Sequence, residues 1–567
     1  MSRAGVTAAM ASRPRPPTLA PGLRLPLALL SLLAVGLGLL MMSLAARAGV
    51  ETVPARGGQY VEALVGPITT LNPLQVQPGD PEADLTRLIF NSLVRLDPQG
   101  LPVGDLALRW EVSEDGRRYT FYLRPNVRWH DGVPFTADDV LFTVRLLQSP
   151  DLPGPPGRAF LWQAIEVVPI NSLTVQFRLP EPLAVFPDLL TFGILPAHRL
   201  QGVPPSQFSA HPFHLSPIGT GPYRVERVYV EEGRIQRVRL AAHTGYFRGP
   251  PLLEQVEFRI FPDTRTALMA YRAGEVQGIA RIFPTDLDQV RALPTLNLFS
   301  ALLSGYEAIL LNHASPLFRD REVRQALWLA LDRQHLIDRL LAGQGVVAHS
   351  PIPPRNWAFH PRLPPVPYDP ERARALLEAR GWTIPEGETG RRKGDQVFRF
   401  RLVTSADGFH EVLAQEIARQ WRALGIAVEV EPLPGDLVAQ ALAPHRFDAA
   451  LVEIMIPGDP DPYPFWHETQ VEGGQNYGGF RDRDISEVLE EARRVPDIAR
   501  RRDLYWRFQE LFQEKVPALL LFYPVYTYAV DERISGIQIG ALLHTPADRF
   551  DGITEWYTMV RRRVIVR

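Results

Sequence analysis

The chain has no cysteine. Disulfides, thiol catalysis and thiolate metal sites are excluded together. So is lipid attachment through an N-terminal cysteine: after Leu44-Ala45-Ala46, Arg47 stands where that cysteine would be. Excess charge of either sign is missing too, with 63 acidic against 61 basic residues. No basic tract calls for nucleic acid, and no acidic tail appears. No repeat of about 20–50 residues recurs, which argues against solenoids and propellers. Lysine is scarce beside arginine. The 54 prolines fit a thermophile or a GC-rich genome and say nothing about activity.

Catalytic patterns are also lacking. His410-Glu411 and His467-Glu468 begin like zinc-peptidase helices, but Ala414 and Val471 occupy the places of the second histidine. Asp459-x-Asp461 echoes a calcium loop, yet Pro464 replaces its glycine and Gln470 its closing glutamate. No GxSxG element is present. His130-Asp131-Gly132 reads as a turn rather than half a dyad. The expectation is a protein without enzymatic activity, metal or cofactor.

What is present begins with an uncharged apolar run, Leu25–Ala46, preceded by Arg3, Arg13, Arg15 and Arg24 and by no acidic residue. Its length matches the roughly 20 residues of a bilayer span. The positive-inside rule leaves residues 1–24 as a disordered cytoplasmic tail and exports everything after the run. Ala46-Arg47-Ala48 is a small-x-small site, so residues 25–47 read either as a long signal peptide or as an uncleaved anchor. Either places the protein on the outer face of the cell membrane, in the periplasm or at the cell surface. The remaining ~500 residues exceed what one core holds, so two or three domains are expected.

Several local patterns are readable. Gly57 to Val65 starts like an alternating strand. Trp110-Glu111-Val112 and Tyr119 to Leu123 flank an Asp115-Gly116 turn, a hairpin signal. Thr136-Ala137-Asp138-Asp139 is a capping-box pattern opening a helix with Val140, Leu141, Val144 and Leu147 on one face. Asp138 and Asp139 then read as first-turn charges. Strands follow around residues 165–168 and 173–179. Pro217-Ile218-Gly219-Thr220-Gly221-Pro222-Tyr223 suggests a fixed backbone crossing rather than a phosphate loop. Asp320 reads as the N-cap of a long helix. A second helix is expected near 409–424, followed by an alternating strand from Ile426 to Glu431, which is an α/β signature. A last helix is expected over roughly 484–513.

Gly458-Asp459-Pro460-Asp461-Pro462-Tyr463-Pro464-Phe465-Trp466 places two carboxylates in a turn stiffened by prolines and flanked by aromatics. A fixed carboxylate beside aromatic walls suits a primary amine, such as a peptide N-terminus. A charge-assisted bond there contributes about 1.5–3 kcal/mol.

An ordered set of segments resembles the family 5 solute-binding proteins of ABC transporters, the dipeptide/oligopeptide-binding group. Leu71-Asn72-Pro73 and Ile89-Phe90-Asn91-Ser92-Leu93 resemble its opening. Trp110 to Gly116 with Tyr119-Thr120-Phe121 is similar to its "WEVSEDGxxYTF". Val127 to Gly132 and Thr136 to Val140 look like its most recognisable signature. Pro217 to Tyr223 looks like "PxGTGPY". Leu311-Asn312, Phe318-Arg319-Asp320 and Val323 to Leu327 resemble "N…PFxDxxVRQAL". The match runs from about residue 57 to 557. One departure is Gln277, where the family often carries an acidic residue after "GE".

The resemblance implies an α/β fold of the class II periplasmic-binding-protein type. Two lobes, one with an extra domain, enclose a ligand cleft at their interface. The implied division is 49–85, 218–305 and 528–567 for a discontinuous domain I, 86–217 for domain II, and 306–527 for domain III. It also implies a peptide ligand, partnership with an ABC permease and its ATPase, and strand-like main-chain bonds to the peptide. By the family pattern Asp459 holds the peptide amine, with Asp461 the alternative, and Tyr306, Trp466 and Asn476 line the pocket. The fold also serves other ligands, so a nickel chelate, an oligosaccharide or other polyol, and an anchored peptide sensor stay open.

Overall fold

The structure is a computed structural model and describes residues 30, 33–37, 48–152 and 158–566. The expected cytoplasmic tail, residues 1–24, and most of the apolar run lie outside the described residues. Among the described residues no helix is long and apolar enough to cross a membrane. Ala48–Ala55 and Met559–Val566 form an antiparallel two-stranded ribbon, a unit by itself.

The second unit, Arg56–Thr558, is built on a large mixed sheet. Its spine is the strand Ala518–Asp531, buried nearly throughout. From Ala518 to Phe522 it pairs with Gly305–Leu311. From Val525 to Asp531 it pairs with Leu296–Leu303, and at Ala529 and Val530 with Gly278–Ile279. Two hydrophobic cores flank the change of partner. One draws on residues between Tyr60 and Leu303 and between Tyr526 and Trp556. The other lies within Tyr306 to Tyr523. The chain therefore passes between the cores twice, near residues 304 and 524. A separate four-stranded sheet holds Ala107–Val112, Arg118–Leu123, Thr174–Arg178 and Glu166–Asn171.

Local chemistry explains these elements. The Asp115-Gly116 hairpin forms, with Trp110 opposite Phe121. Thr136 and Asp139 close their capping box around Ala137–Gln148. Phe409–Arg422 leads through Gly425 into Ala427–Leu433, which lies parallel to Arg399–Ser405.

Three expectations change. Gln59–Val65 does not alternate: both faces are covered, and even Glu62 is fully buried. That charge is tolerated because Arg549, Tyr60 and Tyr528 all donate to it, while Arg549 also binds Asp84 at 2.6 and 2.7 Å. The helix capped by Asp320 is short, Arg321–Leu329, because Asp332 caps a new one, Arg333–Leu340. The last helix is two, Arg483–Arg494 and Ile498–Lys515. Pro496 holds Val495 in extended backbone and breaks the pattern there.

The glycines of the 217–223 segment meet a steric demand. Gly221 N–H donates to the Ile89 carbonyl at 2.9 Å, and a Cβ on Gly219 or Gly221 would collide with the backbone of Leu88 and Ile89. Gly221→Ala should cost about 1–3 kcal/mol or more in a urea titration. Gly435→Ala, with open space around its Cβ, should change stability by less than about 0.5 kcal/mol. Equal effects would show that the close approach is not what requires glycine.

Candidate functional site

Strand Ala449–Met455 pairs along its full length with Gly305–Leu311. On its other side Arg399–Ser405 reaches only Ala449 and Ala450. Among the described residues no strand covers that edge from Leu451 to Met455. Alternate residues there direct N–H and C=O groups outward, unpaired. A cavity of about 490 Å3 opens beside this edge. Val438, Leu442, Phe465, Trp466 and Tyr477 give it apolar and aromatic walls, and Glu453 adds a carboxylate.

The proline-stiffened turn follows the same strand. Both oxygens of Asp459 accept from Nη2 of Arg501 at 2.8 Å, and one accepts from the Tyr505 hydroxyl at 3.2 Å. Burial raises the Asp459 pKa, and the Arg501 guanidinium works against that shift. Asp461 accepts from the Tyr463 N–H at 3.1 Å and from Nε of Arg493 at 2.7 Å. The Arg493 guanidinium lies 3.8 Å over the Tyr463 ring.

A third carboxyl, Asp188, carries no motif in the sequence. It sits in a one-turn helix, Asp188–Leu190, more than 260 residues upstream of the turn. Its carboxyl lies so close to Gly458 that no Cβ fits there. Burial pushes its pKa up to about 7, with the Asp459 carboxylate the next contributor. Its Oδ1 is buried without a hydrogen-bond partner. Asp188 also lines a second cavity of about 480 Å3, with Arg87, Asp105, Arg248 and His544.

The other expected residues are placed as follows. Trp466 lines the 490 Å3 cavity, its ring edge-on to Phe512 at 4.9 Å. Tyr306 is buried opposite Ile454, and burial raises its phenol well above the usual range. Asn476 spends its amide on the loop: Nδ2 donates to the His467 and Phe480 carbonyls at 3.1 and 2.7 Å, and Oδ1 accepts from Phe480 N–H at 3.2 Å. Its neighbours Gln475 and Tyr477 are the cavity residues.

Residues 102–477 match the family model of bacterial extracellular solute-binding proteins, family 5 Middle. The chain belongs to that family. The oligopeptide-binding protein AppA of Bacillus subtilis is 27% identical over 513 residues, covering 89% of this chain and 92% of that protein. The dipeptide-binding protein of Escherichia coli is 26% identical over 537 residues, covering 90% and 96%. The solved structure of Bacillus subtilis AppA in complex with a nonapeptide matches this family 5 chain with a TM-score of 0.73 at 26% identity, covering 89% and 99%. The class II periplasmic-binding-protein fold implied by the motifs is the fold of this family 5 protein.

Asp188 makes the family 5 chain's stability depend on pH. The unfolded carboxyl ionises near 3.8 and the folded one near 7. Between those values the folded state holds the extra proton, so stability falls as pH rises from about 4 to 7. Asp188→Asn should therefore be more stable than the parent at pH 8, by about 1–4 kcal/mol, and indistinguishable near pH 4. Urea unfolding at both pH values checks this. A constant offset would mean that Asp188 does not retain its proton.

Proposed function

We propose that the protein captures peptides outside the cytoplasm by closure of its lobes and delivers them to an ABC permease with its ATPase. It catalyses no reaction. The observation that carries this reading is the unpaired edge of Leu451–Met455 beside an aromatic-walled cavity. A peptide main chain adds to such an edge as a further strand, which recognises backbone regardless of side chain. The names of the Bacillus subtilis and Escherichia coli relatives, oligopeptide- and dipeptide-binding, support the same ligand class. In this reading the sequence-based domains I and III form the lobes, and the N-terminal apolar segment exports the chain or holds it at the membrane.

The peptide amine would seat at Asp459, with Asp461 the alternative. Asp459 and Asp461 are each paired with a guanidinium, Arg501 and Arg493, while Asp188, its pKa pushed up to about 7, is the unpaired carboxyl that a ligand cation would draw into its ionised form. Trp466 would border the ligand, and Tyr306 and Asn476 would shape the strand and loop around it.

Native mass spectrometry of the purified protein, then denaturation and identification of what is released, tests the ligand class. A ladder of mixed peptides is expected. A single non-peptide mass, a nickel chelate or a sugar series would overturn the peptide assignment within the same fold. Asp459→Asn should weaken a free-amine peptide about tenfold or more relative to its N-acetylated form. Equal losses for the two forms would remove Asp459 from the amine role.

A further inference from the structure

Glu307 and Glu453 stand directly opposite each other on Gly305–Leu311 and Ala449–Met455. Directly opposed residues project from the same face, and like charges there repel. Nothing in the scaffold neutralises the pair fully. Glu307 is only 3% exposed, and its Oε1 meets Nε2 of His410 at 3.2 Å. Its Oε2 is buried with no hydrogen-bond partner. His410 is shared, since its Nδ1 also meets Asp407 at 2.6 Å. Those two carboxylates raise the His410 pKa to about 9 against the opposing effect of burial, so it carries one positive charge. Glu453 makes no ion pair among the described residues. It stays open to water at the cavity, yet the surrounding protein and the field of Glu307 raise its pKa; Arg281 acts on it only at a distance.

Three carboxylates therefore face His410 and the more distant Arg281, and one carboxylate oxygen is buried unsatisfied. Such an oxygen is costly unless a donor reaches it. Glu453, His410 and Asp407 all line the 490 Å3 cavity, whose other walls are Val438, Phe465 and Trp466. An acidic floor under apolar and aromatic walls matches a long basic side chain: the alkyl stem packs on the walls and the charged end reaches the carboxylates.

We propose that this cavity seats a basic side chain of the peptide ligand, its ammonium or guanidinium group held between Glu453 and Glu307. The inference rests on the peptide reading above and gives it a specificity: peptides carrying lysine or arginine at one position. His410, which lines the cavity, acts as a positioning residue through its contact with Glu307 Oε1 at 3.2 Å.

The test uses the full-length protein and pentapeptide pairs that differ only by lysine against norleucine, scanned through all five positions, each with a free and with an N-acetylated amine. Norleucine keeps the stem and removes the charge. At one position lysine should bind about tenfold tighter or more. That preference should survive acetylation, which separates a side-chain seat from an α-amine seat. Glu453→Gln should cut the preference to under about threefold by weakening lysine peptides far more than norleucine peptides. Glu307→Gln is the second variant and should act in the same direction. His410→Gln should lower the lysine preference without abolishing it. Equal binding of lysine and norleucine peptides at every position would overturn this inference and leave the peptide reading intact. A cation preference that disappears on acetylation would overturn it in favour of an amine seat. Binding of neither series would overturn the peptide reading and this inference with it.

Discussion

The strand Ala518–Asp531 is the constraint on which the rest depends. One continuous backbone donates to two cores, and each core exists only if its half of the strand is paired. The exchange of partners falls at Tyr523 and Pro524, between the last Gly305–Leu311 pair at Phe522 and the first Leu296–Leu303 pair at Val525. Proline cannot donate to a ladder, so it is tolerated in a central strand only where the ladder is interrupted. Pro524 occupies that interruption on one side, while on the other Gly345–Val347 pairs with Phe522–Pro524. This crossing and the return crossing near Ser304 are the two places where the chain passes between the cores.

Charge is treated differently in scaffold and site. The buried scaffold charges are mostly answered, although among the described residues Arg549 Nε keeps no partner. Arg549 spans Glu62 and Asp84 with no exposure, and the buried Arg324 and Arg333 donate mainly to backbone carbonyls. A buried charge without partners costs several kcal/mol, so these pairings are needed for the fold to persist. Around the strand end and the proline turn, the accounts do not close. Among the described residues Asp188 Oδ1 and Glu307 Oε2 have no donor, and Glu453 has no ion pair. Unpaired atoms also occur elsewhere, as at Gln420 Nε2 and Trp357 Nε1, but the unpaired acidic oxygens lie on Asp188, which lines one cavity, and on Glu307, opposite the cavity-lining Glu453, where a ligand could supply the missing donors.

Local signals were legible because their chemistry is local. The Asp115-Gly116 turn, the Thr136 capping box and the Asp320 cap each need only neighbours within a few residues. The family motifs extended this to the class II fold. What the sequence could not display depends on distant partners. Glu62 looks like a surface position until strands close on both sides of it. Glu307 and Glu453 become a pair only through a register linking residues 146 positions apart. Asp188 carries no pattern, and its meaning comes from Gly458, which lacks a side chain in order to let it approach. Asn476 reads as a polar pocket residue, yet three short hydrogen bonds commit its amide to the loop.

In the proposed reading the two parts of the site would divide recognition between them. An open strand edge binds main chain, which every peptide shares, so it gives affinity with little discrimination. Unpaired carboxylates discriminate, because a ligand that fails to answer them leaves a buried charge unsatisfied. The Asp459 turn is held by two internal arginines and is nearly balanced, so it can tolerate an amine or its absence. The Glu307–Glu453 pair has one shared histidine and a distant arginine, and its imbalance is greater. Selectivity among peptides should therefore arise more from the strand-borne glutamates than from the proline turn, even though the turn is the more conspicuous feature of the sequence.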